Sequence, residues 1–212
     1  IKAPQEFLIV NFNISQNIIL SSVENEVERF INLGSSCMYP KDSLDPLKED
    51  QILSGKLEPT NEGYAIAKIA ATKLCEYISS NYEQKLYKTI IPCNLFGRFD
   101  NFNPYTSHMI PGVMRRLHEA KYLNQSVVKI WGDGKARREF MDAAELADFI
   151  YYAISNFEFM PQNVNVGIGK DFSIDEYYRL IASAVEYRGE FEYDLSQPVG
   201  MKRKLVDNSL QL

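Results

Sequence analysis

The sequence has no glycine-rich loop of the GxGxxG or GxxGxxG kind, and its 11 glycines are late and scattered. A dinucleotide-binding half places such a loop after its first strand. The chain also opens on Ile1-Lys2 without an initiator Met. Both absences give the expectation of a piece of a longer protein. No apolar run approaches the ~20 residues of a membrane span, and no signal-peptide pattern stands at the start. The net charge is -5 and no basic run stands out. Nothing here points to nucleic acid or to an anionic membrane. Cysteine is scarce: Cys37, Cys75 and Cys93 are odd in number, and their spacing suits neither a disulfide framework nor a zinc site. The expectation is a reducing, cytoplasmic setting and no metal.

What is present suffices for a core. The chain is 45% hydrophobic and 24% charged, ordinary for a globular protein. Pro4 to Val23 reads as a largely buried helix, and Phe30 to Leu33 as a short buried strand ending at Gly34. Pro40 to Thr60 reads as an irregular loop with one helical turn. Asn61 to Ser80 reads as a helix with Ile66, Ile69, Ala70, Leu74 and Tyr77 inward. Leu86 to Pro92 is a buried strand, followed by a strand-end loop, Cys93 to Gly97. Met109 to Ala120 reads as a helix with Val113, Met114 and Leu117 inward, and Val127 to Gly132 as a strand. Capping-box patterns at Asp142-Ala-Ala-Glu145 and Ser173-Ile-Asp-Glu176 open two more helices, the second stopping near Gly189. Short strands are expected at Val164 to Gly167 and Phe191 to Tyr193. Cys75 reads as core and His118 as surface. Helices and strands alternate, so the class is α/β with a parallel sheet.

One stretch carries chemistry. Ile31 to Lys68 holds a strand end, Leu33-Gly34-Ser35-Ser36-Cys37, and then Tyr64-Ala-Ile-Ala-Lys68. Tyr64 and Lys68 share one helix face. An ammonium one turn from a phenol favours the phenolate and makes the tyrosine a proton donor and acceptor near neutral pH. A serine hydroxyl from the strand end can hold the same substrate oxygen. With 13 tyrosines, a lone YxxxK arises about once by chance. The words around it decide.

Gly34-Ser-Ser-Cys-Met-Tyr-Pro-Lys41 followed by Leu57-Glu-Pro-Thr-Asn-Glu-Gly-Tyr-Ala-Ile-Ala-Lys68 resembles the GDP-L-fucose synthase family of extended short-chain dehydrogenase/reductases. The likeness continues through Ile91 to Gly97, Asp100 to Phe102, Ser107 to Pro111, Arg115-Arg116, Trp131 to Gly134, Arg138 to Phe140, Asn165 to Gly167 and Arg203 to Leu205. It implies a Rossmann-like parallel sheet, of which only the later part is present, in residues 1–107. Residues 108–212 would be mostly a small α/β substrate lobe, with segments returning to the sheet domain. The activity implied is inversion of carbons 3 and 5 of GDP-4-keto-6-deoxy-D-mannose and reduction of its carbon 4 ketone with NADP(H), giving GDP-L-fucose or a close GDP-deoxysugar. Ser35, Tyr64 and Lys68 would be the reductase triad. Cys37 and His108 would be the epimerisation pair, one removing a proton beside the ketone and the other returning it to the opposite face. Leu33, Gly34, Ser35, Ser36, Lys68, Pro92, Cys93, Asn94, Leu95 and His108 would line the cofactor. Arg116, Trp131, Arg138 and Lys204 would meet the GDP-sugar. A homodimer, packed through the helix with the Tyr–Lys pair and its neighbour, is also implied.

The sequence departs from the family at Glu190, where a basic residue is usual, and at Ala144 and Val199, where Asp is. These changes leave room for another nucleotide sugar, of the colitose or 6-deoxy-heptose kind. A non-catalytic piece that has lost its cofactor half is the remaining alternative.

Overall fold

The structure is a computed structural model that describes residues 3–43, 46–196 and 200–211; Val199 lies outside the described residues. Its centre is a three-stranded parallel sheet in the order β1 (Arg29–Leu33), β2 (Leu86–Pro92), β7 (Asn163–Val166). β2 is the middle strand and is covered on both faces, which explains why its sequence is an almost unbroken apolar run. Lys88 interrupts that run. Its buried ammonium donates to the carbonyls of Phe157 and Met160, so the charge is carried by backbone oxygens and not by an acid. Burial lowers its pKa.

Helix α2 (Glu62–Asn81) crosses from β1 to β2 and packs between the sheet and α1 (Pro4–Glu24). This sandwich selects small residues on two sides. Ala65, Ala67, Ala71, Thr72, Cys75 and Ile78 are buried with Ile69, whereas Ile66 and Tyr77, expected inward, are exposed. Gly63 is required at the crossing: a Cβ there would stand 2.5 Å from the Pro4 carbonyl oxygen. The expectation for α1 is corrected more strongly. Only Ile19 is buried, and Phe7, Val10, Ile14 and Ile18 lie exposed along one side of the helix.

A second core forms around α3 (Met109–Tyr122), α5 (Ile174–Val185) and the parallel pair β4 (Val127–Trp131) and β9 (Glu190–Asp194). Ile110, Val113 and Leu117 face it; Met114, expected inward, is exposed. Both capping boxes form, at Asp142 for α4 (Ala143–Ser155) and at Ser173 for α5. α5 ends at Glu186, which takes the left-handed conformation (φ 58°), and not at Gly189. The expected loop after β2 contains a strand, β3 (Asn94–Phe96), parallel to β6 (Phe140–Asp142). Two-residue strands β5 (Arg137–Arg138), β8 (Phe172–Ser173) and β10 (Arg203–Lys204) make a further small sheet, with β5 in the middle. Cys75 is buried and His118 exposed, as expected.

Candidate active site

β1 ends at Leu33, and Gly34 turns the chain against Met38, Thr89 and Ile91, where a Cβ would collide with the Met38 methyl at 2.8 Å. This tight turn puts Ser35 at the start of a short 3-10 turn, Ser36–Met38. The Ser35 hydroxyl accepts from the Cys37 backbone N–H at 3.2 Å. The phenol of Tyr64, from the first turn of α2, faces the same hydroxyl closely enough for Ser35 to pull its pKa down, although burial outweighs that pull. The strand end and the helix start are thus joined through one serine.

Lys68 lies one turn further along α2. Its ammonium is 5.8 Å from the centre of the Tyr64 ring and donates to the Leu33 carbonyl at 2.8 Å. The expected sign of the tyrosine's perturbation is reversed. Burial raises the Tyr64 pKa, the nearby Cys37 raises it further, and the Ser35 bond only partly opposes them. Lys68 is itself lowered by burial. The reason is geometric: the ammonium is engaged by a carbonyl and sits over the ring, so the lysine does not offset the desolvation of the phenol. The phenol accordingly keeps its proton, which suits a donor better than a base.

Cys37 is the half-buried thiol of the three; Cys75 and Cys93 are buried, and burial pushes both thiols up to about 12. The Cys37 sulfur receives Asn61 Nδ2 at 3.2 Å and Lys204 Nζ at 3.5 Å. Sequence reasoning missed Asn61 altogether. It stands at the N-cap of α2, a position where Asn ordinarily binds a helix N–H, but here its side chain makes no cap bond.

His108 occupies the N-cap of α3, is exposed, and its imidazole bonds no described residue. No contact joins it to Cys37 or Tyr64. Arg116 and Trp131 form a second group. The guanidinium lies 5.3 Å from the Trp131 ring centre and donates to the Tyr178 hydroxyl at 2.9 Å and to the Lys129 carbonyl at 3.2 Å. Trp131 is 56% exposed, so its ring is open to a ligand and is not core. Arg138 is half-buried and is the register partner of Lys204 across β5 and β10.

A cofactor fits the strand ends. β1, expected to be buried, is an edge strand in which only Asn32 is buried, and Leu33 at its end is 42% exposed, leaving an apolar surface beside Lys68. At the end of β2, Pro92 and Cys93 are buried and Asn94 and Leu95 half-buried. The Asn94 amide donates to the Glu139 carbonyl at 2.8 Å and holds that rim in place. Among the described residues no cluster of His, Cys, Asp and Glu could hold a metal ion, and no helix is long and apolar enough to cross a membrane.

The chain is similar to known nucleotide-sugar enzymes. The chain is 54% identical over 210 residues to a GDP-L-colitose synthase from Yersinia pseudotuberculosis, with 99% of this chain and 68% of the relative covered. It is 48% identical to a GDP-L-fucose synthase from Azorhizobium caulinodans, covering 96% of this chain and 65% of that protein. The chain therefore spans about two thirds of the length of these curated relatives. Among solved structures, a GDP-mannoheptose C4 reductase from Campylobacter jejuni with NADP bound superposes with a TM-score of 0.85 at 30% identity, over 97% of this chain and 70% of that one. Residues 1–169 match the NAD dependent epimerase/dehydratase family. On that match and on the Rossmann-type arrangement of β1, α2 and β2, the chain belongs to the NAD dependent epimerase/dehydratase family.

Proposed function

We propose that this chain carries the catalytic part of an NADP(H)-dependent epimerase–reductase acting on a GDP-linked 4-keto-6-deoxy sugar. The observation that carries the reading is the convergence of Ser35, Tyr64 and Cys37 beside Lys68. A ketone oxygen held by the Ser35 and Tyr64 hydroxyls is polarised, and the hydrogens on its neighbouring carbons become acidic. Cys37 takes one of these as a proton. His108 returns one to the opposite face, and its exposed position lets it reach substrate from the α3 side. Tyr64 then protonates the oxygen as the ketone is reduced. NADPH supplies the hydride when bound, resting on Leu33 to Ser36, Lys68 and Pro92 to Leu95. Arg116, Trp131 and Arg138 meet the GDP-sugar. Arginine gives a planar grip on phosphate, and the exposed Trp131 ring gives a stacking surface.

Two sugars remain in competition. The relative at 54% identity is a GDP-L-colitose synthase, and the one at 48% is a GDP-L-fucose synthase. The first favours a colitose-type substrate. A panel of GDP-linked keto sugars, read by NADPH absorbance, ranks them.

Two variants test the chemistry. Cys37→Ser should abolish exchange of solvent hydrogen into the carbons beside the ketone and leave reduction of a pre-epimerised substrate in place. Tyr64→Phe should do the opposite: exchange slows but persists, since Ser35 still holds the ketone oxygen, and NADPH consumption drops by at least about 100-fold. Undiminished exchange in Cys37→Ser removes the cysteine from the mechanism. Undiminished reduction in Tyr64→Phe removes the tyrosine.

The assembly we propose is a homodimer packed through α1 and α2. Phe7, Val10, Ile14 and Ile18 on α1 and Ile66 and Tyr77 on α2 are exposed, and the two helices pack side by side. An apolar surface of that extent is unusual on a lone subunit.

A further inference from the structure

Two nitrogen donors from distant parts of the chain meet at the Cys37 sulfur: Asn61 Nδ2 at 3.2 Å and Lys204 Nζ at 3.5 Å. We propose that Lys204, aided by Asn61, positions Cys37 in its thiolate form and thereby makes it competent to take a proton. The proposal rests on the reading of Cys37 as an acid–base group given above.

The donor inventory points this way. An ammonium has three donors and no acceptor, so it can approach sulfur only through a lone pair. The charged form of the sulfur gains most from that approach. Asn61 adds an independent sign. A capping asparagine turns its oxygen toward a helix N–H, but here the amide nitrogen points at sulfur and Oδ1 is left buried with no partner. A site that leaves that oxygen orphaned favours an acceptor at the sulfur. Once the sulfur is protonated, a half-turn of the amide brings Oδ1 round to accept the S–H. Asn61 can therefore serve both states of the thiol.

The fold shows how Lys204 arrives there. β10 pairs in parallel with β5, Arg203 beside Arg137 and Lys204 beside Arg138. Successive side chains of a strand point to opposite sides. Arg203 and Arg137 both bond the carboxylate of Asp171, which is 6% exposed. That clamp fixes the register of a strand only two residues long, and Lys204 is turned the other way, onto Cys37. The titratable groups facing the sulfur are Lys204 from β10 and Tyr64 from α2.

In the step itself, the carbon–hydrogen bond beside the ketone breaks and its proton forms the S–H bond. The electron pair moves to the ketone oxygen as an enolate, held by Ser35 and Tyr64. Lys204 undergoes no bond change. It stabilises the sulfur before the transfer.

Alkylation of Cys37 by iodoacetamide tests this without substrate or cofactor. Cys75 and Cys93 are 0% and 5% exposed, so their labelling reports unfolding only. Lys204→Gln should slow labelling of Cys37 about tenfold at about pH 7 and match the wild type within about twofold near pH 10, where a solvent-reached thiol of ordinary pKa is ionised. Lys204→Arg should restore most of the rate at the lower pH. Asn61→Asp, which sets a carboxylate against the sulfur, should slow the reaction at least as much near neutrality and recover in alkali. Equal labelling of Lys204→Gln and wild type at neutral pH overturns the proposal. So does an equal slowing at both pH values, which would mean altered access. If Cys75 and Cys93 become labelled in Lys204→Gln, the Asn61 variant decides by the same two rates. A failure of the Cys37→Ser exchange test would remove the cysteine from catalysis but leave these rates unchanged.

Discussion

Glu139→Ala should destabilise the chain by about 3–4 kcal/mol. The side chain is fully buried, and its two oxygens are split between two segments: Oε1 accepts from Gly169 N–H at 2.7 Å and Oε2 from Val206 N–H at 3.1 Å. Gly167 is fitted to it, since a Cβ there would stand within 2.4 Å of Oε1. Burial raises the Glu139 pKa, and the backbone N–H groups that face the carboxylate pull it back only in part. Each N–H left buried without a partner costs about 1–3 kcal/mol, and the emptied volume adds about 1 kcal/mol. Relief of the carboxylate's own desolvation offsets several of these kcal/mol and keeps the net near the lower end. Glu139→Gln is the informative control. It fills the same volume and can still accept from Gly169, but it turns an amide N–H₂ toward the Val206 N–H. A loss of about 1–2 kcal/mol follows. Urea unfolding monitored by circular dichroism measures both, with an unchanged slope expected if only stability is altered. An Ala variant within about 1 kcal/mol of wild type refutes the reasoning. So does a Gln variant as unstable as the Ala one, because the argument depends on divided acceptors and not on charge.

The remaining predictions concern the clamp and the assembly. Burial by itself raises the Asp171 pKa, but the bonds from Arg203 and Arg137 outweigh it and the net shift is downward. A carboxylate with a depressed folded pKa contributes stability that is fully present above the ordinary value of 3.8 and is lost as pH falls through the folded value. Asp171→Asn should therefore cost about 1–2 kcal/mol at neutral pH, discounted because both arginines are some 40% exposed. The gap to wild type should close in acid below that value; a gap that persists there means the loss is not electrostatic. Ile14→Asp, on the exposed face of α1, should halve the mass seen by sedimentation equilibrium and leave the circular dichroism spectrum unchanged. A wild-type protein that already sediments as a monomer excludes the proposed dimer.

How far the site could be read from sequence follows from the range of the forces that build it. Tyr64 and Lys68 are one helical turn apart, and both capping boxes are four residues long, so each is visible in the string of residues. Ser35 and Cys37 do lie at the strand end, because a short apolar run followed by Gly-Ser-Ser is a local signal, although the strand itself buries only Asn32. The sign of the Tyr64 shift was not local. It depends on the burial of the phenol, on Cys37, and on the Leu33 carbonyl engaging the lysine. Lys204 was harder still. It reaches Cys37 only because Asp171, in a third segment, sets the register of a two-residue strand too short to show any periodicity. For α1 the apolar count misled in a different way. Hydrophobic content reports that a face must be covered, not that this chain's own sheet covers it, and Ile14 and Ile18 remain open beside α2. Lys88 shows the converse: a charge inside a buried run reads as an error until the carbonyls of Phe157 and Met160 supply the partners. The pairwise signals thus placed the candidate residues, while the electrostatic setting of each group came from segments tens of residues away, and 167 residues away for Lys204 and Cys37.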